Sequence, residues 1–258
     1  MPVAASLYYF SHLEEEHLRP PIVFLHGAGG NYLHWPPEVR RLPGQRIFAP
    51  DLPGHGKSDG VGQQSIEDYA QCILDFLDAL HIHKAILVGH SMGAAIALAL
   101  ALDHPRRVLA LGLIGGGGRL KVSPDLIHSA SSPATLSSAL QMIAEMAFSP
   151  NTDPHLQQLA MQRMAATRST VFHGDFIACN QFDVMGRLGK VRAPTLVVCG
   201  ADDRMTPPRY SEHLAASIRR AQRVFIPDAG HMVMIEKPKA VADVLSTFIS
   251  GITYRPGE

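Results

Sequence analysis

The sequence predicts a doubly wound α/β fold with a mostly parallel sheet and one helical insertion. Short continuous apolar runs bounded by proline and glycine recur along the chain. They alternate with segments of helical periodicity. One long block breaks the alternation and reads as helix only. The chain has 258 residues, of which 46% are hydrophobic and 18% charged. That is enough to bury a sizeable core.

"PPIVFLHG" (20–27) is the first such run. A strand apolar at every position is buried on both faces, which suits a parallel sheet. "RIFAPDLPGHG" (46–56) is the second and ends in a Pro/Gly loop. "SIEDYAQCILDFLDAL" (65–80) is helical, with Ser65 and Asp68 as a capping box and Ile66, Tyr69, Ala70, Ile73, Leu77 and Leu80 on one face. "KAILVG" (84–89) is the third strand. "AAIALALALDHP" (94–105) is a helix apolar almost all round, hence buried, and His104–Pro105 stops it. "RVLALGLIG" (107–115), "APTLVVCG" (193–200) and "AQRVFIPDAGH" (221–231) hold three more strands. "KPKAVADVLSTFIS" (237–250) is the last amphipathic helix.

From Gly115 to about Lys190 no strand is expected, and "ATLSSALQMIAEMAF" (134–148) and "HLQQLAMQRMAATR" (155–168) are helical. The predicted division is a core of 1–118 and 186–258 with an insertion of 119–185. Open α/β sheets bind ligands at the C-terminal edge of their strands, so the insertion is a candidate lid there, with extra helices packed elsewhere as the alternative.

Lys plus Arg number 23, as do Asp plus Glu. Zero net charge gives no reason to expect nucleic acid or a membrane surface as a partner. The three cysteines, Cys72, Cys179 and Cys199, match no metal-ligand spacing and suit a reducing compartment. No metal or cofactor is expected. "MPVAASLYYFSHLEEEH" is a poor signal peptide, and no apolar run approaches the ~20 residues of a membrane helix. A cytoplasmic location is the expectation.

The chemistry centres on "LVGHSMGAA" (87–95). Gly89-His90-Ser91-Met92-Gly93 fits G-x-S-x-G, with a strand before it and a helix after it. That context places Ser91 on a tight turn as a nucleophile. A serine hydroxyl needs a base, and the base needs an orienting acid. In this arrangement acid and base follow the serine in the chain. His231, between the last strand and the last helix, is the expected base. The acid should end an earlier strand, and "TLVVCGADD" offers Asp202 and Asp203, which the residues alone do not separate. Whichever is not the acid is free to cap the loop or the next helix. The Met92 amide, at a helix start, and the Ala28 amide, in the glycine-rich loop after the first strand, are the expected oxyanion donors.

Together, "HGAGG", "DLPGHGKSD", "GHSMG", "GADDRMTPP" and "AGHMVMIEKP" resemble the α/β-hydrolase superfamily over nearly the whole chain. The resemblance implies the α/β-hydrolase fold, a helical cap in place of the insertion, and Asp203 as the acid. It implies a carboxylesterase- or lactonase-like serine hydrolase acting on a small-molecule ester. Lactone opening, carbon–carbon bond hydrolysis and perhydrolysis are alternatives within the fold, and a non-catalytic small-molecule receptor is another. Epoxide hydrolases and haloalkane dehalogenases use a carboxylate nucleophile, which Ser91 is not. Carbon–carbon hydrolases often carry an aromatic residue after the base, where this chain has Met232. Met142, Met146, Met205 and Met232 are pocket candidates suited to apolar acyl groups, with core filling as the alternative. Trp35 either lines the pocket or anchors a helix against the sheet.

Overall fold

The computed structural model describes residues 2–13 and 19–254. Met1, residues 14–18, which include the acidic run of the leader reading, and residues 255–258 lie outside the described residues. Among the described residues eight strands form one sheet: β1 (Val3–Ala4), β2 (Leu7–Leu13), β3 (Pro21–Leu25), β4 (Arg46–Pro50), β5 (Ala85–His90), β6 (Val108–Ile114), β7 (Thr195–Gly200) and β8 (Ala221–Ile226). Their order is β1-β2-β4-β3-β5-β6-β7-β8. The pairs β3–β4, β3–β5, β5–β6, β6–β7 and β7–β8 are parallel. Every residue of β3, β5 and β7 is buried, as their unbroken apolar runs require.

Among the described residues ten α-helices accompany the strands. They are α1 (Pro37–Arg40), α2 (Ile66–Ala79), α3 (Met92–Asp103), α4 (Pro124–Ala130), α5 (Leu136–Ala147), α6 (Pro154–Ala165), α7 (Ser169–Gln181), α8 (Pro208–Ser217), α9 (Val233–Glu236) and α10 (Pro238–Ser250). Ser65 Oγ caps α2, accepting from Asp68 N–H at 3.0 Å and donating to the Asp68 carboxylate at 2.6 Å. Buried residues cover α3 all round from Met92 to Ala101, which explains a helix without a polar face.

The β1–β2 hairpin is the main element that sequence reasoning missed. It pairs antiparallel and adds to the edge of β4, also antiparallel. Tyr9 packs on Phe48 and Phe76, while Phe10, on the other face, stacks on Tyr32. With aromatics facing both ways, the segment has no alternation to betray it.

Between β6 and β7 the chain makes α4 to α7. Its entering and leaving strands meet in an antiparallel bridge between Arg119 and Asp183. A second tie lies just after α5. Ser149 donates its N–H to Glu236 Oε2 at 2.9 Å and its hydroxyl to Asp202 Oδ2 at 2.6 Å. Met232 N–H donates to Ala147 O at 3.0 Å. Among the described residues no helix is long and apolar enough to cross a membrane.

Candidate active site

Ser91 joins the end of β5 to the start of α3 with φ 53° and ψ −114°. A non-glycine residue seldom adopts this conformation, and such strain is held where surrounding structure compels it. The flanking glycines explain the compulsion. A Cβ on Gly89 would lie 2.1 Å from Gly93 O, and one on Gly93 would lie 2.1 Å from Leu25 O. Only bare backbone lets helix and strand approach this closely. Ser91 N–H donates to Ile114 O at 2.9 Å, tying the turn to β6.

His231 follows β8 and is buried. Its Nδ1 donates to Asp203 Oδ2 at 2.9 Å. No protein group among the described residues takes its Nε2, and the ring borders the same cavity as Ser91. His231 is steadied from below by His90, whose Nε2 donates to His231 O at 3.0 Å and whose ring lies 4.7 Å from it. Burial, followed by the nearby His231, pushes His90 well below its usual value, so it stays neutral.

Asp203 lies just beyond β7 and is fully supplied with donors. Oδ1 accepts from Met205 N–H at 2.9 Å and Thr206 N–H at 2.8 Å. Thr206 Oγ1 lies 2.8 Å from Oδ2, 2.9 Å from Gly115 O and 3.1 Å from His231 Nδ1. Burial works to raise the Asp203 carboxyl, but His231 and the Thr206 bonds outweigh it and hold the carboxyl below the usual carboxylate range. Thr206 was missed from sequence. Its signal was its place three residues after an aspartate that ends a strand. Asp202, left open by the residues, faces the insertion and holds the Ser149 hydroxyl instead of capping a helix.

The loop after β3 carries the Ala28 amide. Neither Ala28 N–H nor Met92 N–H has a hydrogen-bond partner among the described residues. The Gly27 carbonyl accepts from His26 Nδ1 at 2.8 Å and from Gly30 N–H at 3.0 Å. His26 Nε2 accepts Leu52 N–H at 3.0 Å, which fixes the ring as the neutral Nδ1–H tautomer. Burial first, then His55, pushes its pKa well down, in agreement with that tautomer.

A cavity of about 240 Å³ joins these groups, bordered by Ala28, Ser91 and His231. Leu126, Ile143, Met146, Met164 and Phe172 close it from the insertion, and Met205 and Met232 from the core. Met146, Met205 and Met232 thus stand where a pocket residue should. Trp35 and Met142 do not, and both are corrected. Trp35 is fully buried against Phe24, with ring centroids 4.8 Å apart, where its large ring packs on the sheet instead of standing at the cavity edge. Met142 packs against the core, and its neighbour Ile143 turns to the cavity. His34, not expected from sequence, also lines the cavity and is pushed down to about 4 by burial, then by Arg163 and His55. Among the described residues no group of three His, Cys, Asp or Glu side chains is placed to hold a metal ion.

Ser91 on its strained elbow, His231 held by a buried carboxylate and Ala28 with its unpartnered amide border one cavity, and the Met92 amide, also unpartnered among the described residues, follows the serine directly. The fold and this site define a hydrolase. Residues 20–238 match the model of the alpha/beta hydrolase fold, and the chain belongs to that family. It is 30% identical to 2-hydroxy-6-oxo-6-phenylhexa-2,4-dienoate hydrolase of Burkholderia cepacia, covering 93% of this chain and 91% of that one. It is 28% identical to 3-oxoadipate enol-lactonase 1 of Acinetobacter baylyi, covering 90% of each. A solved thermophilic esterase superposes with a TM-score of 0.80 at 29% identity, over 96% of this chain and 100% of that one.

Proposed function

We propose that this protein is a serine hydrolase that cleaves carboxylic esters of small to medium apolar acyl groups through an acyl-enzyme. The observation that carries the reading is Ser91, strained on its elbow, sharing a cavity with a histidine whose Nδ1 is held by a buried aspartate. His231 takes the Ser91 proton as the hydroxyl oxygen attacks the ester carbonyl. The Ala28 and Met92 amides stabilise the oxyanion. His231 then protonates the leaving alcohol, and water releases the acyl group by the same steps with roles reversed. Asp203 holds the tautomer and stabilises the imidazolium, a role its depressed pKa supports. The insertion acts as a cap that supplies most of the apolar wall.

The cavity volume and its Leu, Ile, Met and Phe lining support a modest acyl group. Opening of a lactone, a cyclic ester, is the second reading. It uses the same groups and is supported by the likeness to an enol-lactonase. Hydrolysis of p-nitrophenyl esters from acetate to palmitate, with wild type and Ser91→Ala side by side, tests the proposal. Loss of turnover in the variant and an optimum at short to medium chains are expected. Turnover that survives Ser91→Ala, or a folded wild type inert on every ester and lactone offered, rejects it.

A further inference from the structure

Three contacts from the insertion converge on one residue of the oxyanion loop. The Asp175 carboxylate, on α7, accepts Gly29 N–H at 2.8 Å. Thr167, just before α7, donates its hydroxyl to Gly29 O at 3.0 Å. The Phe172 ring lies so close that a Cβ on Gly29, where φ is +63°, would meet it at 2.1 Å. The peptide on the other side of Ala28 is held as well, through Gly27 O. A trans peptide is planar, so a fixed carbonyl fixes the opposite direction of its N–H. The held Gly27 O sets the direction of the Ala28 N–H within their shared peptide, and the two held polar groups of Gly29 anchor the next residue, so the loop that carries that peptide has one place to sit.

Among the described residues Asp175 bonds none of Ser91, Asp203 and His231. It is fully buried. Oδ1 accepts the Tyr69 hydroxyl at 2.5 Å, and Oδ2 accepts His55 Nε2 at 2.8 Å as well as Gly29 N–H. The other nitrogen of His55 faces Pro53 O at 3.0 Å. Both ring nitrogens therefore face acceptors, both carry protons, and His55 is the imidazolium partner of a carboxylate. Neither His55 nor Asp175 borders the cavity.

We propose that Asp175 is a positioning residue for the oxyanion hole: from the insertion it anchors the Ala28–Gly29 peptide and so the place of the adjoining Gly27–Ala28 peptide that carries the donor amide. This rests on the reading of Ala28 as an oxyanion donor. On this account the insertion does more than wall the cavity. It sets part of the transition-state stabilisation, which depends on donors placed before the charge develops.

The test uses the full chain as wild type, Asp175→Ala, Asp175→Asn and Thr167→Val. Turnover of p-nitrophenyl butyrate is normalised to sites titrated with the organophosphate paraoxon. Asp175→Ala is expected to lower kcat by about 30- to 100-fold with KM within about threefold, because an oxyanion donor acts on the transition state. Asp175→Asn keeps an acceptor for Gly29 N–H but loses the charge opposite His55. It is expected to recover kcat to within about fivefold of wild type while its Tm stays low. A merely structural carboxylate would leave Asp175→Asn as impaired as Asp175→Ala.

Thr167→Val frees Gly29 O at constant shape and is expected to lower kcat by about fivefold, and it carries the test should Asp175→Ala not fold. Inhibition by an alkyl trifluoromethyl ketone, whose adduct on Ser91 places an anionic oxygen in the hole, should weaken in step with kcat. Wild-type kcat and ketone affinity in folded Asp175→Ala or in Thr167→Val overturn the inference alone. A wild type that neither paraoxon nor the ketone modifies overturns the ester-hydrolase reading, and this inference with it.

Discussion

Two buried histidine–aspartate pairs of nearly equal length sit in this molecule. His231 meets Asp203 at 2.9 Å and His55 meets Asp175 at 2.8 Å. A distance search would return them as twins. Their other nitrogens separate them. His231 presents Nε2 to a cavity shared with Ser91, whereas His55 spends its second nitrogen on Pro53 O. The first ring has one nitrogen without a protein partner among the described residues, whereas both nitrogens of the second are bonded. A His–carboxylate contact thus identifies chemistry only when the far side of the ring is known. Chain connectivity differs too: Asp203 and His231 both lie in the core, while Asp175 comes from the insertion and His55 from the loop after β4.

The sharpest way to break this contrast is to remove one histidine from each pair. His231→Gln is expected to cut ester kcat by about 10⁴-fold or more at nearly unchanged Tm, as for a group acting within a catalytic unit. Turnover near the wild-type level would erase the distinction. His55→Gln leaves a buried carboxylate without its cation and is expected to cost about 3–5 kcal/mol of stability, read from urea unfolding. An unchanged midpoint would mean that the sealed pair is idle.

Titration gives the next effect. Burial is the largest cause that lowers His26, His34 and His90, followed by His55 for His26, Arg163 and His55 for His34, and His231 for His90. The unfolded chain binds protons at these positions from pH of about 6.5 downward, and the folded chain does not until far lower. Their stabilisation is therefore complete above about pH 6.5 and is lost on acidification, for His34 toward about 4, by up to about 1.4 kcal/mol per pH unit for each ring. His55 has the opposite sign. Burial lowers it, but Asp175 and, more weakly, Asp51 raise it above its ordinary value, with His26 and Tyr69 also against the ring. Its contribution is complete below the unfolded pKa and is lost as pH rises through the folded one. Unfolding midpoints from pH 4 to 9 should thus fall on the acid side in wild type, and His34→Gln should reduce that fall. A flat acid limb would contradict neutral buried rings.

The smallest expected effect concerns the second tie of the insertion. Ser149→Ala removes the hydroxyl bond to Asp202 and should cost about 1 kcal/mol. A change in ester KM larger than this stability loss would show that the tie also shapes the cavity.

Much of the architecture was readable before any coordinates. Runs apolar at every position can only be buried strands or helices, and their alternation allows few topologies, so β3 to β8 and α2, α3, α5, α6 and α10 were all anticipated. Ser91 was readable because strand, glycine, serine, glycine and helix are consecutive, and a local motif carries local geometry. The β1–β2 hairpin was not, because its aromatics face both ways and its stability comes from β4, α2 and Tyr32.

What the sequence determined by itself is what short-range sterics and periodicity dictate: the sheet, the elbow and the position of a histidine after the last strand. What only the tertiary structure decided are contacts between residues far apart in the chain. Trp35 went to the core because Phe24 stands beneath it. Asp202 turned to Ser149, and Thr206 closed around Asp203. Asp175, 146 residues from Gly29, reached the oxyanion loop. No pattern along the chain encodes such a meeting, since it follows from how the insertion settles on the core and from the cost of leaving a buried carboxylate unpaired.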